Sequence, residues 1–477
     1  MIISGKKTLI ILFNVFSIIM YAYTYFLNVN MTAGQILFWA SCSFFYMIFS
    51  ILVLSKKKLN LCTIFFGVAY LFYFGQYIEL IFSGYVKNDA LNITKSYSIS
   101  IVNHYALFIL LYMHIFHLLV CVSQRKSYSV SIKQFKFNKL NLDVVNMCAM
   151  IIYLIAYPFS LYYQYTRYKY TLIWGYGSTL YQKFTSESSL LRVGEFLSGY
   201  VISMYIILIL CNYRKKSKWI IAFSILPYMI FYLLSGSRLQ AILLILVLVL
   251  IKHTWGKKIS SKEIIIGVLC GIILLYLITI SSVIRNYIGT YRNVYQAIIK
   301  SIKETSLFDC ILHMFDEFGC QIVSITCVLD NCPGKVPFNN GKLFLYGLEI
   351  IIPNITGYKR FFYTDNTDDA FKIFLNNGNT GLGSSFISES YYSFGLWGII
   401  EVCILGFIIG KVSQIISSEC TKEKESIIKM FVCYYMSYCL LFTVRGDTFN
   451  IASSLVQYVV FPIVFFKIVD FFMRKSL

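Results

Sequence analysis

Residues 99–122, from Ile99 to Val122, read ISIVNHYALFILLYMHIFHLLVCV and contain no Lys, Arg, Asp or Glu. A helix rises 1.5 Å per residue, so this run is long enough to cross the ~30 Å hydrocarbon core of a bilayer. Arg125, Lys126, Lys133, Lys136 and Lys139 follow it, with no acidic residue before Asp143. A boundary between hydrocarbon and water is therefore written at its end. Working outward, similar apolar runs occur at about 8–27, 35–54, 61–83, 143–163, 194–213, 219–235, 239–251, 263–284, 385–410, 427–444 and 449–472. With 99–122 they make twelve expected spans of an all-α polytopic membrane protein.

The whole chain agrees. Of 477 residues 58% are hydrophobic and 13% charged, against about 25% charged in soluble proteins. Mean hydropathy is +0.68. Only 6 Pro occur, which excludes a linker-rich or disordered chain. The first run follows Lys6 and Lys7 but is about twenty residues long and lacks a small-residue cleavage site, so it reads as a span, not a signal peptide. No fixed-period repeat and no separate soluble domain is visible. The expected organisation is a single membrane domain, 1–477, with outer loops at 164–193 and 285–384.

Lys and Arg total 42 against 22 acidic residues, a net charge of +20. In a soluble chain that balance would suggest nucleic acid; here positive cytoplasmic loops explain it. With the N-terminus inside, 25 basic residues fall on the cytoplasmic side and 17 outside, 9 of the latter in the long loop 285–384. Both termini are then cytoplasmic.

The two cations are distributed differently. Of 32 Lys, 22 are inside, but of 10 Arg only Arg125, Arg214 and Arg474 are. Arg167, Arg192, Arg238, Arg285, Arg292, Arg360 and Arg445 lie on or near the outer face. Orientation needs only charge, whereas Arg adds a rigid fork that binds phosphate or carboxylate bidentately. An anionic ligand outside the membrane is the reading preferred over interfacial anchors or salt bridges. Arg238 stands out: the turn Ser235-Gly236-Ser237-Arg238 joins two spans confined to 219–251, too short for two full crossings, so the turn should be recessed. An ionisable group at that depth is a functional candidate. Arg445-Gly446-Asp447 forms the outer turn between the last two spans, where an Arg–Asp pair serves either a site or the fold.

Among intramembrane polar residues, Gln76 and Glu79 share a helix face, as do His114 and His117; inter-helix hydrogen bonds are the expected role for most of them. No metal-ligand spacing is present. In the long loop, 306–329 is apolar enough to lie on or partly in the membrane, and Asp309, His313 and Asp316 with adjacent Glu317 fall on one helix face. Such a face supplies a general base for a sugar hydroxyl or the wet side of an interfacial helix. Cys310, Cys320, Cys327 and Cys332 fall on the oxidising side, where two disulfides are open to them. Eight Tyr and Trp174 between 157 and 181 suit a lipid interface or a carbohydrate face equally. Gly378 to Gly383 is glycine-rich but follows no strand and precedes no Gly-Lys-Ser/Thr, so nucleotide binding is not indicated.

Gly341 to Ile352 with Pro353, then Gly381-Leu-Gly-Ser-Ser-Phe-Ile-Ser-Glu389-Ser-Tyr391-Tyr-Ser-Phe394-Gly395-Leu-Trp-Gly398, resembles the Wzy-type O-antigen and capsule repeat-unit polymerases. The Ser-Gly-Ser-Arg238 turn, the terminal Arg445-Gly-Asp and the late outer loop between spans 9 and 10 are similar to elements of that family. The resemblance covers roughly 235–447 and departs at Asn354, where a basic residue often follows the proline; Arg360 comes six residues later. It implies a GT-C-like glycosyltransferase that joins undecaprenyl-diphosphate-linked oligosaccharides into O-antigen or capsular polysaccharide, without cofactor or metal. Partners implied are the lipid-linked oligosaccharide, the bilayer, and a chain-length regulator and flippase of the same pathway. Arg238, Arg285 and Arg445, then Arg292, Arg360 and Arg167, are candidates for the diphosphate or glycan. Gly381 and Gly383 would shape the loop near the sugar, and His313, Asp316, Glu317 and Glu389 are candidate bases. A ligase acting on the same carrier and a lipid-linked-oligosaccharide flippase are the alternatives; Arg concentrated outside and the loop of about 100 residues favour chemistry over passage.

Overall fold

The computed structural model describes residues 5–55, 59–86, 92–124, 140–174, 188–213, 215, 217–235, 238–255, 262–263, 269, 271, 307–353, 360–362, 383–418 and 427–475. Every regular element among them is helical. In chain order they are α1 (Gly5–Phe26), α2 (Ala33–Leu54), α3 (Leu61–Ser83), the single turn α4 (Ile93–Ser96), α5 (Ile99–Ser123), α6 (Leu142–Trp174) and α7 (Ser189–Asn212). Then come α8 (Lys218–Ser224), α9 (Leu226–Leu234), α10 (Arg238–Trp255), α11 (Leu307–Gly319), α12 (Gln321–Asn331) and α13 (Lys342–Glu349). The last are α14 (Phe386–Phe394), α15 (Ile399–Ser418), α16 (Ile427–Phe442), α17 (Asn450–Leu455) and α18 (Phe461–Lys475).

Among the described residues eight helices are long and apolar enough to cross a membrane: α1, α2, α3, α5, α6 as far as Thr171, α7, α14 running into α15, and α17 running into α18. Three shorter apolar helices, Trp219–Leu234, Leu239–Trp255 and Ile427–Phe442, coincide with three further expected spans. The span expected at 263–284 lies outside the described residues except for Glu263, Leu269 and Gly271. Boundaries differ by a few residues throughout, and two departures alter the reading. The fifth span was expected to end near 163, but its helix continues to Trp174. The span at 219–235 is two helices, because Pro227 in the first turn of α9 has no N–H to continue α8.

Helices α1, α2, α3 and α5 pack together with α15, while α6 pairs with α7, and α7 and α10 pack on α16. Between α1, α2 and α5, Asn14 Oδ1 lies 2.8 Å from His117 Nδ1 and 3.4 Å from His114 Nδ1. The far ring nitrogens meet Ser50 at 2.7 Å and Ser43 at 3.0 Å. These two histidines therefore do what was expected of them: they bond helix to helix.

The segment 306–329 is not a surface helix. It is split at Cys320 into α11 and α12, and α12 is buried from Gln321 through Leu329. Helix α11 lies directly on α3, with a Gly at each side of the crossing. A Cβ on Gly75 would run into the Phe315 carbonyl, and one on Gly319 into Gly75 itself. Helix α12 packs on α3, α5 and α14. Its apolar residues thus line the protein core, not lipid. Cys320, Cys327 and Cys332 carry free thiols; the Cys310 side chain lies outside the described residues.

Candidate active site

The turn between α16 and α17 and the entry to α14 are built against each other. Phe386 N–H donates to the Thr443 carbonyl at 2.9 Å, fastening the start of α14 to the end of α16. Ser385 caps α14 through a reciprocal bond with Ser388. Just before the cap, Gly383 has φ +68°, a region costly for other residues. Its carbonyl accepts from Ser324 Oγ at 2.7 Å and from Gln321 Nε2 at 3.2 Å, tying in α12. A Cβ on Gly383 would stand 3.4 Å from the Arg445 carbonyl oxygen, so the backbones meet closely here.

This framework holds a chain of carboxylates and hydroxyls. The Ser384 hydroxyl donates to Asp447 Oδ1 at 2.7 Å and faces Glu389 Oε1 at 3.4 Å. Glu389 Oε2 accepts the Thr448 backbone N–H at 2.6 Å and the Thr448 hydroxyl. The same hydroxyl lies 2.9 Å from Glu401 Oε1 on α15. Asn450 Nδ2 donates to Asp447 Oδ2 at 3.0 Å. Ser384 and Glu389 are buried, at 2% and 1% exposure, whereas Asp447 is half-buried. Burial pushes the Asp447 carboxyl above the ordinary aspartate range, against the pull of its hydrogen bonds, that from Ser384 the largest, then Glu389 and Asn450.

The Arg445 guanidinium lies 5.6 Å from the Phe72 ring centroid, a cation–π placement. It also neighbours the Cys320 thiol. Burial pushes that thiol up, the Arg445 cation pulls it down, and the Asp316 and Glu317 carboxylates add to the rise. Asp316 is buried and takes a hydrogen bond from Gln76 Nε2 at 3.0 Å. Arg445, Gly383, Glu389, Asp316 and Glu317 are thus gathered around the junction of α3, α11, α12, α14 and the 443–449 turn.

Other expected site residues fall elsewhere. Arg360 sits at the end of α13, donating to the Glu349 carbonyl at 2.6 Å and the Ile352 carbonyl at 3.0 Å. Arg167, on α6, lies within electrostatic reach of Tyr163 and Glu195. Arg238 opens α10, but its side chain lies outside the described residues, as does that of His313. Ser235, which begins the Arg238 turn, is buried, and its carbonyl accepts from Thr171 Oγ1 at 3.3 Å. Arg285, Arg292 and Gly381 also lie outside the described residues.

Three participants were not singled out from sequence: Asp447 as more than an arginine partner, Thr448, and Ser384. The available signal was a run of polar residues, Gly383-Ser384-Ser385, before an apolar span carrying Glu389 and Glu401. Among the described residues, no three His, Cys, Asp or Glu side chains are grouped to hold a metal ion.

Stacked apolar helices, with an arginine and buried carboxylates meeting where several of them end, define a multi-pass membrane protein with a polar reaction-type site. The chain belongs to the O-antigen polysaccharide polymerase Wzy family, whose model matches residues 8–476. Membership makes it a glycosyltransferase-like enzyme of O-antigen repeat-unit polymerisation. No curated protein and no solved structure matches the chain.

Proposed function

We propose that this protein polymerises undecaprenyl-diphosphate-linked oligosaccharide repeats at the outer face of the bacterial cytoplasmic membrane. In this reading it has twelve spans in a GT-C-like arrangement, both termini cytoplasmic and the loop 285–384 outside. The chain-length regulator and flippase of the pathway act beside it. The observation that carries the proposal is the Arg445–Asp447 turn, where a cation and a half-buried carboxylate stand two residues apart beside Gly383.

In the reaction, a hydroxyl of the incoming repeat attacks the anomeric carbon of the growing chain. The bond from that carbon to the lipid diphosphate breaks, and the diphosphate leaves with the electron pair. Arg445 stabilises the charge gathering on the leaving group, aligned by the Phe72 face and by the Asp316 and Glu317 carboxylates near it. Asp447 takes the hydroxyl proton. It combines partial exposure with a raised proton affinity, as a base needs, and it stands two residues from Arg445. Glu389 is almost fully buried and its Oε2 holds Thr448, so it supports the base from behind. Arg238, Arg285 and Arg292 are proposed as further diphosphate or glycan contacts; Arg167 and Arg360 have protein neighbours that give them a structural share.

The test is reconstitution of purified protein with its lipid-linked repeat units, without nucleotide or added metal. A ladder of lengthening glycans on a gel is expected. Folded protein that consumes no repeat unit, or that transfers finished glycan to another acceptor, would overturn the polymerase reading.

A further inference from the structure

Two carboxyl groups, buried Glu389 and half-buried Glu401, meet at a single hydroxyl. Glu389 Oε2 and Glu401 Oε1 both contact Thr448 Oγ1, the second at 2.9 Å. A threonine hydroxyl carries one proton and can donate it to only one of them. With both carboxylates ionised, the other would present bare lone pairs to a hydroxyl oxygen at hydrogen-bond distance, deep in an apolar bundle. That arrangement is repulsive, and a buried unpaired charge is costly. One proton must therefore be held by the pair.

Which carboxyl holds it follows from counting donors. Glu389 Oε2 receives the Thr448 backbone N–H at 2.6 Å and the Thr448 hydroxyl, while the one Ser384 proton goes to Asp447. Donors of this kind stabilise an ionised carboxylate. Glu401 has only Thr448 at Oε1, and its Oε2 is buried without a hydrogen-bond partner among the described residues. Glu401 is in the first turn of α15, where an open helix N-terminus would favour an anion. That end is closed, because a 3₁₀ turn, Gly395–Gly398, runs straight into it and the Ile399 N–H is bonded to carbonyls within the turn.

We infer that Glu401 is a protonated positioning residue: its carboxylic O–H donates to Thr448 Oγ1, and the Thr448 hydroxyl then donates to an ionised Glu389. The relay orients Glu389 beside the Ser384–Asp447 pair. The functional consequence rests on the polymerase reading above. The proton assignment does not.

Infrared difference spectroscopy of the purified full-length protein at neutral pH reads the assignment directly, through the carbonyl stretch of a protonated carboxylic acid. The band is expected to disappear in Glu401→Gln and to persist in Glu389→Gln. No band lost in Glu401→Gln, or a band lost in Glu389→Gln, overturns the inference. Activity supplies the second arm, since a Gln amide can replace the O–H donor and Ala cannot. Repeat-unit transfer should stay within about threefold of wild type in Glu401→Gln and fall by roughly thirtyfold or more in folded Glu401→Ala. Equal loss in both variants contradicts the relay. If no variant and no wild-type protein transfers repeats, the polymerase reading fails while the infrared result still decides the protonation.

Discussion

At the scale of single residues, the site depends on which donors face which oxygens. Arg445→Ala should lower the transfer rate by about 10²- to 10³-fold, the typical loss for one donor to a developing anion. Arg445→Lys should recover only part of it, because an ammonium lacks the planar fork; initial rates on lipid-linked repeats check both. Asp447 carries a pH prediction. Its folded pKa is raised by burial, so the folded state binds the proton more tightly than the unfolded chain. The ionised carboxyl therefore costs stability that grows as pH rises through the ordinary aspartate range. Asp447→Asn removes that charge, and its melting-temperature gain over wild type should widen from acid toward neutral pH. Arg445 and Glu389 were legible as candidates because a charged residue at the edge of an apolar run is conspicuous. Thr448 and Ser384 were not, because their importance arises from a meeting of segments about sixty residues apart, which no local pattern encodes.

At the scale of elements, the site is assembled by close backbone contacts and caps. The α3–α11 crossing has room for hydrogen alone at Gly75 and Gly319. Gly319→Leu should separate the two helices, break the Gln76–Asp316 hydrogen bond and lower stability by about 1–3 kcal/mol, the usual cost of overpacking. Thermal unfolding in detergent measures it. The crossing also explains why 306–329 misleads as a sequence: an apolar face that packs on a neighbouring helix has the same period as one that lies on lipid. Pro227, by contrast, marks its helix break openly. Arg360 makes its prediction here too. With one donor on the Glu349 carbonyl that ends α13 and one on Ile352 just beyond it, Arg360→Ala should speed hydrogen exchange in 342–352 more than it weakens diphosphate binding.

For the whole molecule, hydrophobic runs and basic loops carried most of the readable information. Eleven of the expected spans coincide with helices, because satisfying every backbone group inside a bilayer leaves little alternative. On the expected topology Lys marks one side and Arg the other, and Arg445 belongs to the second. Within the large loop, α12 is buried in the core and α11 packs on α3, and together they supply Asp316, Glu317 and Gln321 to the site. Long-range packing of that kind depends on the whole bundle.

The most direct measurement of the central claim is the initial rate of glycan-ladder formation by Asp447→Asn, reconstituted beside wild type and shown to be folded. Loss of the acceptor's base should reduce the rate by about 10²- to 10⁴-fold while lipid-linked repeats still bind. A rate within about threefold of wild type would mean that the Arg445–Asp447 turn is not where the proton is taken, and the catalytic assignment would fall.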